Sequence, residues 1–167
     1  MSDKKIEVET IFRDQDGAIP NNAQYPLLLY KNVINDVDSP LDILKFNNWL
    51  NTWRGGIFPK HHYHSNTHEV LVVVSGKATV QLGGENGPKT GIQYGDVVIL
   101  PAGFGHKLID SQDAFAVIGA YPNGADYDFC TGQPDEWPQN LENIKSVGLP
   151  QTDPIYGNDG PLFDYWK

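Results

Sequence analysis

Gly56–Gly76, GIFPKHHYHSNTHEVLVVVSG, holds four of the chain's five histidines beside a carboxylate and runs straight into an apolar segment. Side chains alternate faces in an extended chain, so His62 and His64 point the same way, about 7 Å apart at the usual rise per residue. Two imidazoles on one face can converge on a single ion. Ser65, Asn66 and Thr67 are turn formers. Beyond them the alternation puts Glu69, Leu71 and Val73 on one face and His68, Val70, Val72 and Val74 on the other. A reversal at the turn brings Glu69 back beside the histidine pair. Imidazole nitrogen with carboxylate oxygen suits borderline divalent metals such as Fe, Mn, Ni, Zn or Cu, and suits Ca or Mg poorly. The stretch reads as a metal site carried on a β-scaffold.

Further on lies Gly95–Asp110, GDVVILPAGFGHKLID. Pro101, Gly103 and Gly105 force a sharp turn there, and His106 opens the next strand. In an antiparallel barrel this delivers a third nitrogen from a neighbouring strand. Between and beyond the two stretches, short apolar runs separated by glycine predict strands at 69–74, 77–82, 92–94, 96–100, 106–109 and 114–120. The glycine-rich segment 83–87 forms a hairpin tip. Toward the N-terminus, 6–12 and 25–30 read as strands with a polar loop between. Asp38 or Ser39 caps a helix with Pro40 at its first position. Its apolar positions, Ile43, Leu44, Phe46, Trp49, Leu50 and Trp53, recur at helical spacing until Gly55 and Gly56. The segment from Pro122 onward is irregular, with one weak strand near 141–147, and is expected to wrap the barrel as a tail. Regular short strands with turn signals mean a sandwich or barrel.

The whole-chain properties agree. A chain of 167 residues predicts one domain, large enough to bury a core without staples. With 17 Gly and 12 Pro the chain is too rich in breakers for a helical fold. The net charge of -9 argues against nucleic acid or an anionic membrane as partner. Cys130 stands alone, so no internal disulfide forms, and a small buried residue is the expectation there. The start, MSDKKIEVETIF, lacks the apolar core of a signal peptide, which predicts a cytoplasmic protein.

The two histidine stretches together resemble the cupin superfamily. Gly56, His62, His64, Glu69 and Gly76 match G-x5-H-x-H-x4-E-x6-G, and Gly95, Pro101, Gly103 and His106 match G-x5-P-x-G-x2-H-x3-N, with Asp110 in place of the final Asn. NWLNTWRGG, HHYHSNTHEVL, GAYP and DPIYGNDGPL are similar to a YjlB-like group of single-domain cupins. The resemblance implies an all-β jelly-roll barrel, or double-stranded β-helix, with one or two short helices. The domain spans 1–167: barrel core at about 54–121, N-terminal strands and helix in 1–53, tail in 122–167. It also implies that His62, His64, Glu69 and His106 hold one divalent transition metal (Fe, Mn, Zn or Ni).

Parity refines the surroundings. His61 faces away from His62, and His68 away from Glu69, so both are structural or surface residues, with His68 a ligand only if a bulge shifts the register. Tyr63 points outward. Glu69 is either a ligand or a non-ligating base, and ligation closes the site better. Phe58 and Lys60 share the face of His62 and His64, and Leu108 and Asp110 that of His106, which makes Lys60 a candidate to hold an anionic substrate group and Asp110 a candidate to orient a ligand or move a proton. Val70, Val72 and Val74 form an apolar outer face that the helix, the tail or a second subunit must cover, and cupins often pair through such sheets, so a homodimer is expected. The implied function is a metal-dependent enzyme (dioxygenase, decarboxylase or isomerase) acting on a small polar or anionic molecule. The alternative is a non-catalytic ligand-binding or sensing module with a structural metal.

Overall fold

The computed structural model describes residues 6–167, so the first five residues of the expected domain lie outside the described residues. Two long strands form the spine, β4 (Glu69–Leu82) and β7 (His106–Pro122). They pair antiparallel from Val70 opposite Ala120 to Leu82 opposite His106. β6 (Val97–Leu100) pairs with the first part of β4, placing Leu100 opposite Glu69, and β5 (Lys89–Gln93) pairs with the second part. β2 (Leu27–Lys31) follows β6 and β1 (Glu7–Ile11) follows β2, while β3 (Trp49–Gly55) lies along β7. The sheet curls on itself, so His106, paired at one end of the β4–β7 ladder, meets Glu69 from the other end. An all-β barrel is the observed architecture, with three short α-helices among the described residues where one or two were expected.

Each of the expected strand pairs 69–74/77–82 and 106–109/114–120 is one continuous strand. Gly76 does not end a strand; it sits in a bulge at φ +68°, where an added Cβ would lie 2.4 Å from the carbonyl of Gln112. Asp113 and Ala114 on β7 also adopt positive φ, so both strands bend at one level and neither reverses.

The expected helix to Trp53 is also corrected. α1 spans Pro40–Phe46, with the Ser39 side chain accepting from the Asp42 amide, and ends at Asn47. Asn48 and Asn51 follow in the left-handed region, which a helix cannot propagate through. Trp49 and Trp53 therefore stand on β3, on a bulged register that imitates helical spacing. The weak strand at 141–147 is instead α2 (Gln139–Ser146), preceded by Pro138, with Leu141 and Ile144 three residues apart on one face. α3 (Leu162–Tyr165) closes the chain.

Strand alternation separates two apolar layers. Leu71, Val73, Val80, Leu82, Val98 and Val117 fill the barrel interior. Val70, Val72, Val97 and Ile99 face outward beneath Leu44 of α1, Trp49, Leu162 and Trp166. The outer face anticipated from the valine alternation is thus covered by the chain's own helix and tail. Among the described residues no helix is long and apolar enough to cross a membrane.

One buried carboxylate fastens the tail. Asp153 is fully buried and accepts from the Tyr30 hydroxyl and from the amides of Ile155, Tyr156 and Leu162. Burial and the neighbouring Asp153 push the Tyr30 phenol far above its ordinary range, so it stays a donor. Removing the acceptor strands several buried donors, each an unfavourable loss. In urea denaturation Asp153→Ala is expected to lower stability by about 3 kcal/mol, and Tyr30→Phe by only about 1 kcal/mol. Equal losses would mean the backbone amides contribute nothing.

Candidate metal centre

Three of the four expected ligands converge. One atom each from His64, Glu69 and His106 lie within 4.8 Å of one another, and all three residues are buried. His64 Nε2 is 3.4 Å from Glu69 Oε2, and His106 Nε2 is 3.4 Å from Glu69 Oε1. Such distances are long for hydrogen bonds. Two donors each about 2.1 Å from a shared ion at a tetrahedral angle stand about 3.4 Å apart. Glu69 Oε1 is buried with no hydrogen-bond partner, an orphaned acceptor at the point where an ion would sit. The donor set therefore fits a borderline divalent metal.

His62 stands beside this trio and outside its 4.8 Å set. Its ring lies 4.0 Å from that of His106, centroid to centroid, and it lines the same cavity. All three imidazoles share one device. His62 Nδ1 donates to the carbonyl of Lys60 at 2.8 Å, His64 Nδ1 to that of Asp128, and His106 Nδ1 to that of Phe104 at 3.2 Å. A carbonyl only accepts, so each Nδ1 carries a proton and each imidazole in its neutral form offers Nε2 for coordination.

The charges follow from the packing. Burial opposes ionisation of Glu69, but His64 and His106 outweigh it and hold the carboxyl far below its ordinary range. Burial likewise opposes protonation of His64, yet Glu69 wins and its pKa is raised. His62 is pushed down to about 3 by burial, with His106 adding to the effect, so it is a neutral imidazole.

The ligand-bearing segment is not a regular strand. It makes single bridges, His62 to His106 and Tyr63 to Cys130. What holds it is the chain at 126–130. Asn66 donates to the carbonyl of Asp126 at 2.8 Å, the Asp128 amide donates to Asn66 Oδ1 at 3.1 Å, and the Asp128 carboxylate accepts from the Ser65 amide and hydroxyl. The same segment carries Tyr127 and Phe129 into the cavity wall. A second support reaches Glu69 from β3 and β7: Trp53 Nε1 donates to the Tyr121 hydroxyl at 2.8 Å, which donates in turn to Glu69 Oε2. Trp53 lies across Gly119, where an added Cβ would be 2.4 Å from its ring.

The remaining residues fall where their local backbone dictates. Lys60 is exposed and absent from the cavity lining, because the chain bends at Pro59–Lys60 and breaks the assumed parity. Asp110 is also exposed and away from the centre. Val80 pairs with Leu108 while Thr79 pairs with Asp110, so Ile109 is a bulge that turns Asp110 onto the opposite face from Leu108. His61 turns away and meets Glu85 of the hairpin tip at 2.9 Å. Tyr63 points away from the cavity but is fully buried, its hydroxyl donating to Glu136, because the tail covers it. His68 is structural: its Nε2 donates to the Gly148 carbonyl and its Nδ1 accepts from the Ala102 amide. The Cys130 thiol is pushed up to about 12 by burial and is inert as a nucleophile. Sequence reasoning missed Trp53, Tyr121, Tyr127 and Phe129. Alternation through Val117, Gly119 and Tyr121 carried the signal for Tyr121; Tyr127 and Phe129 lie in irregular chain with no such period.

Comparison with known proteins agrees with this architecture. The profile of the Cupin domain family matches residues 49–118. The uncharacterized protein YjlB of Bacillus subtilis is 44% identical over 160 residues, covering 96% of this chain and 97% of its own. Similar solved structures include a TDP-quinovose 3,4-ketoisomerase of Campylobacter jejuni (16% identity, TM-score 0.43, covering 56% of this chain and 75% of that one). The acireductone dioxygenase of Bacillus anthracis, with a cadmium ion in its active centre, gives 17% identity and a TM-score of 0.39 over 53% of this chain and 59% of its own. A variant of the Bacillus subtilis oxalate decarboxylase gives 19% identity and a TM-score of 0.41 over 80% and 35%. Identity sustained along nearly the whole length of both chains, with the cupin profile lying over the ligand-bearing strands, decides the assignment: the chain belongs to the YjlB family of cupin-domain proteins.

Proposed function

We propose that the protein is a metal-dependent enzyme of dioxygenase type, with one divalent transition metal held by His64, Glu69 and His106 and by His62 as fourth ligand. One observation carries this reading: three imidazoles with Nδ1 tied to main-chain carbonyls present bare Nε2 atoms around an unpaired, buried carboxylate oxygen. When bound, a redox-active ion such as Fe or Mn supplies Lewis acidity and activation of dioxygen.

The protein's own contribution favours oxygen insertion over the other reactions considered. Isomerisation calls for a positioned acid and base. Among the described residues the titratable groups lining the cavity are the four proposed ligands, Tyr121 and Tyr127. Decarboxylation of a dicarboxylate calls for a cation besides the metal ion to seat the second carboxylate, and Lys60 lies outside the lining. Dioxygenation needs neither group. Both oxygen atoms enter one organic substrate whose own bonds supply the electrons, so no separate reductant is required. Burial, followed by Glu69, pushes the Tyr121 phenol far above its ordinary range, so Tyr121 keeps its proton and donates to Oε2, orienting the carboxylate with Oε1 toward the ion. The apolar wall lowers the local dielectric and so strengthens the electrostatics inside.

Protein purified without nickel exposure is expected to hold about one Fe or Mn ion per chain by elemental analysis. His64→Ala, His106→Ala and Glu69→Ala are expected to lose it, His62→Ala to hold it more weakly, and His61→Ala to keep it. Loss on changing His61 would overturn the ligand assignment, and a tetrahedral, water-free Zn site would favour the non-catalytic binding module. Tyr121→Phe is expected to weaken metal affinity about 10- to 100-fold with the fold intact. Oxygen-electrode traces on Fe-loaded protein with a panel of small aromatic and keto substrates test turnover directly; ligand binding without oxygen uptake would reject the enzyme reading.

A further inference from the structure

The cavity beside the proposed ligands has a volume of about 190 Å³. An empty apolar cavity of about 150 Å³ accommodates one benzene ring. The space therefore matches a single six-membered ring carrying a small head group.

Apart from the proposed ligands, its walls have one chemical character. Ile57, Phe58, Leu71, Tyr127 and Phe129 face it, together with the Trp53 and Tyr121 rings. Among the described residues no Lys or Arg lines it. Of the polar atoms on those walls, the indole N–H of Trp53 goes to Tyr121 and the Tyr121 hydroxyl goes to Glu69, which leaves the Tyr127 hydroxyl at the mouth as the wall's one uncommitted polar side-chain group among the described residues. A substrate with several hydroxyls or two carboxylates would bring more polar groups than Tyr127 and the metal centre can pair, and the remainder would meet apolar wall at a cost. Aromatic edges and faces instead form the mouth. Phe129 stacks on His62 at 5.1 Å and 19°, Phe58 stands edge-on to both, and Tyr127 stacks on Tyr121 at 4.5 Å. Phe58, Tyr127 and Phe129 are 40%, 41% and 51% exposed, so these rings border the opening.

We infer that the substrate class is a compact aryl compound, one ring with a small metal-binding head, held by the Phe58–Tyr127–Phe129 collar and the Trp53–Leu71 floor. This inference rests on the metal-centre reading for the head group alone; the ring is held by side chains. It replaces the polar or anionic molecule expected from Lys60.

The test uses metal-stripped full-length protein and para-fluorophenol, followed by fluorine NMR, with oxalate and glucose as polar competitors. Saturable binding is expected, with neither competitor displacing the probe. Phe129→Ala and Phe58→Ala, both at partly exposed positions, are each expected to weaken it about tenfold. Phe46→Ala, outside the cavity lining and 90% exposed, is expected to leave it unchanged. Absence of binding, binding indifferent to both mouth variants, or displacement by oxalate or glucose would overturn the aryl class. Metal uptake without probe binding overturns this inference alone. Probe binding by a protein that takes up no metal keeps the aryl class and overturns the metal reading.

Discussion

An ionised carboxylate inside an apolar barrel is the constraint around which this molecule is arranged. Glu69 is 2% exposed, and burial alone would drive it to its neutral form. His64 and His106 reverse that outcome, and Tyr121 takes one of the two oxygens. Each of these partners imposes a demand elsewhere. Tyr121 must be reached by Trp53, Trp53 must cross β7 where only a glycine leaves room, and that glycine is Gly119. His106 must open β7 directly after a sharp turn, and His64 must hang on a loop that the barrel's own ladder does not secure.

That last demand explains the tail. A loop held by single bridges would fray. The 126–130 segment supplies what a neighbouring strand would have supplied: backbone pairing with Tyr63, side-chain pairing with Asn66, and a carboxylate for Ser65. It also sets the tautomer of His64 through the Asp128 carbonyl. The tail is in turn tied to this loop by Asn140 and Asn143 of α2, which donate to Tyr63 and Ser65, and, further on, to the barrel by Asp153 on Tyr30. The part of the chain with the least periodicity thus completes the centre and supplies two of its aromatic walls.

This division accounts for what could be read in the sequence. The barrel, the inward placement of His62, His64 and Glu69, and the delivery of His106 after the turn at Pro101 to Gly105 were legible, because strand alternation and turn chemistry are local rules. Strand identity failed at Gly76 and at Asp113–Ala114, since a bulge and a turn use the same residues and only the partner strand distinguishes them. The helix was overextended past Asn47 for a related reason: a bulged strand can place Trp49 and Trp53 at helical spacing. Lys60 and Asp110 were carried inward by a parity that one bend and one bulge had each broken. The supports of the site, from Tyr121 to Asp128, depend on contacts between residues some 50 to 70 positions apart, for which a single sequence offers no period.

The polar groups of the molecule are consequently layered. Of those nearest the cavity, Glu69 Oε1 has no hydrogen-bond partner and the Nε2 atoms of His64 and His106 meet only the Glu69 carboxylate, at 3.4 Å, while those one layer out are paired with backbone or with one another. Leaving a buried carboxylate oxygen unpaired costs about 1–3 kcal/mol. A fold could remove that cost with one more donor, and the Tyr121 hydroxyl shows that such a donor fits. Placing it on Oε2 and leaving Oε1 bare concentrates the site's coordinating capacity on one point of a wall that is otherwise apolar. A cavity built this way has a single direction of polarity, and in the proposed reading a ligand would be oriented by what binds at Glu69 and the histidines and selected by what packs against the aromatic collar.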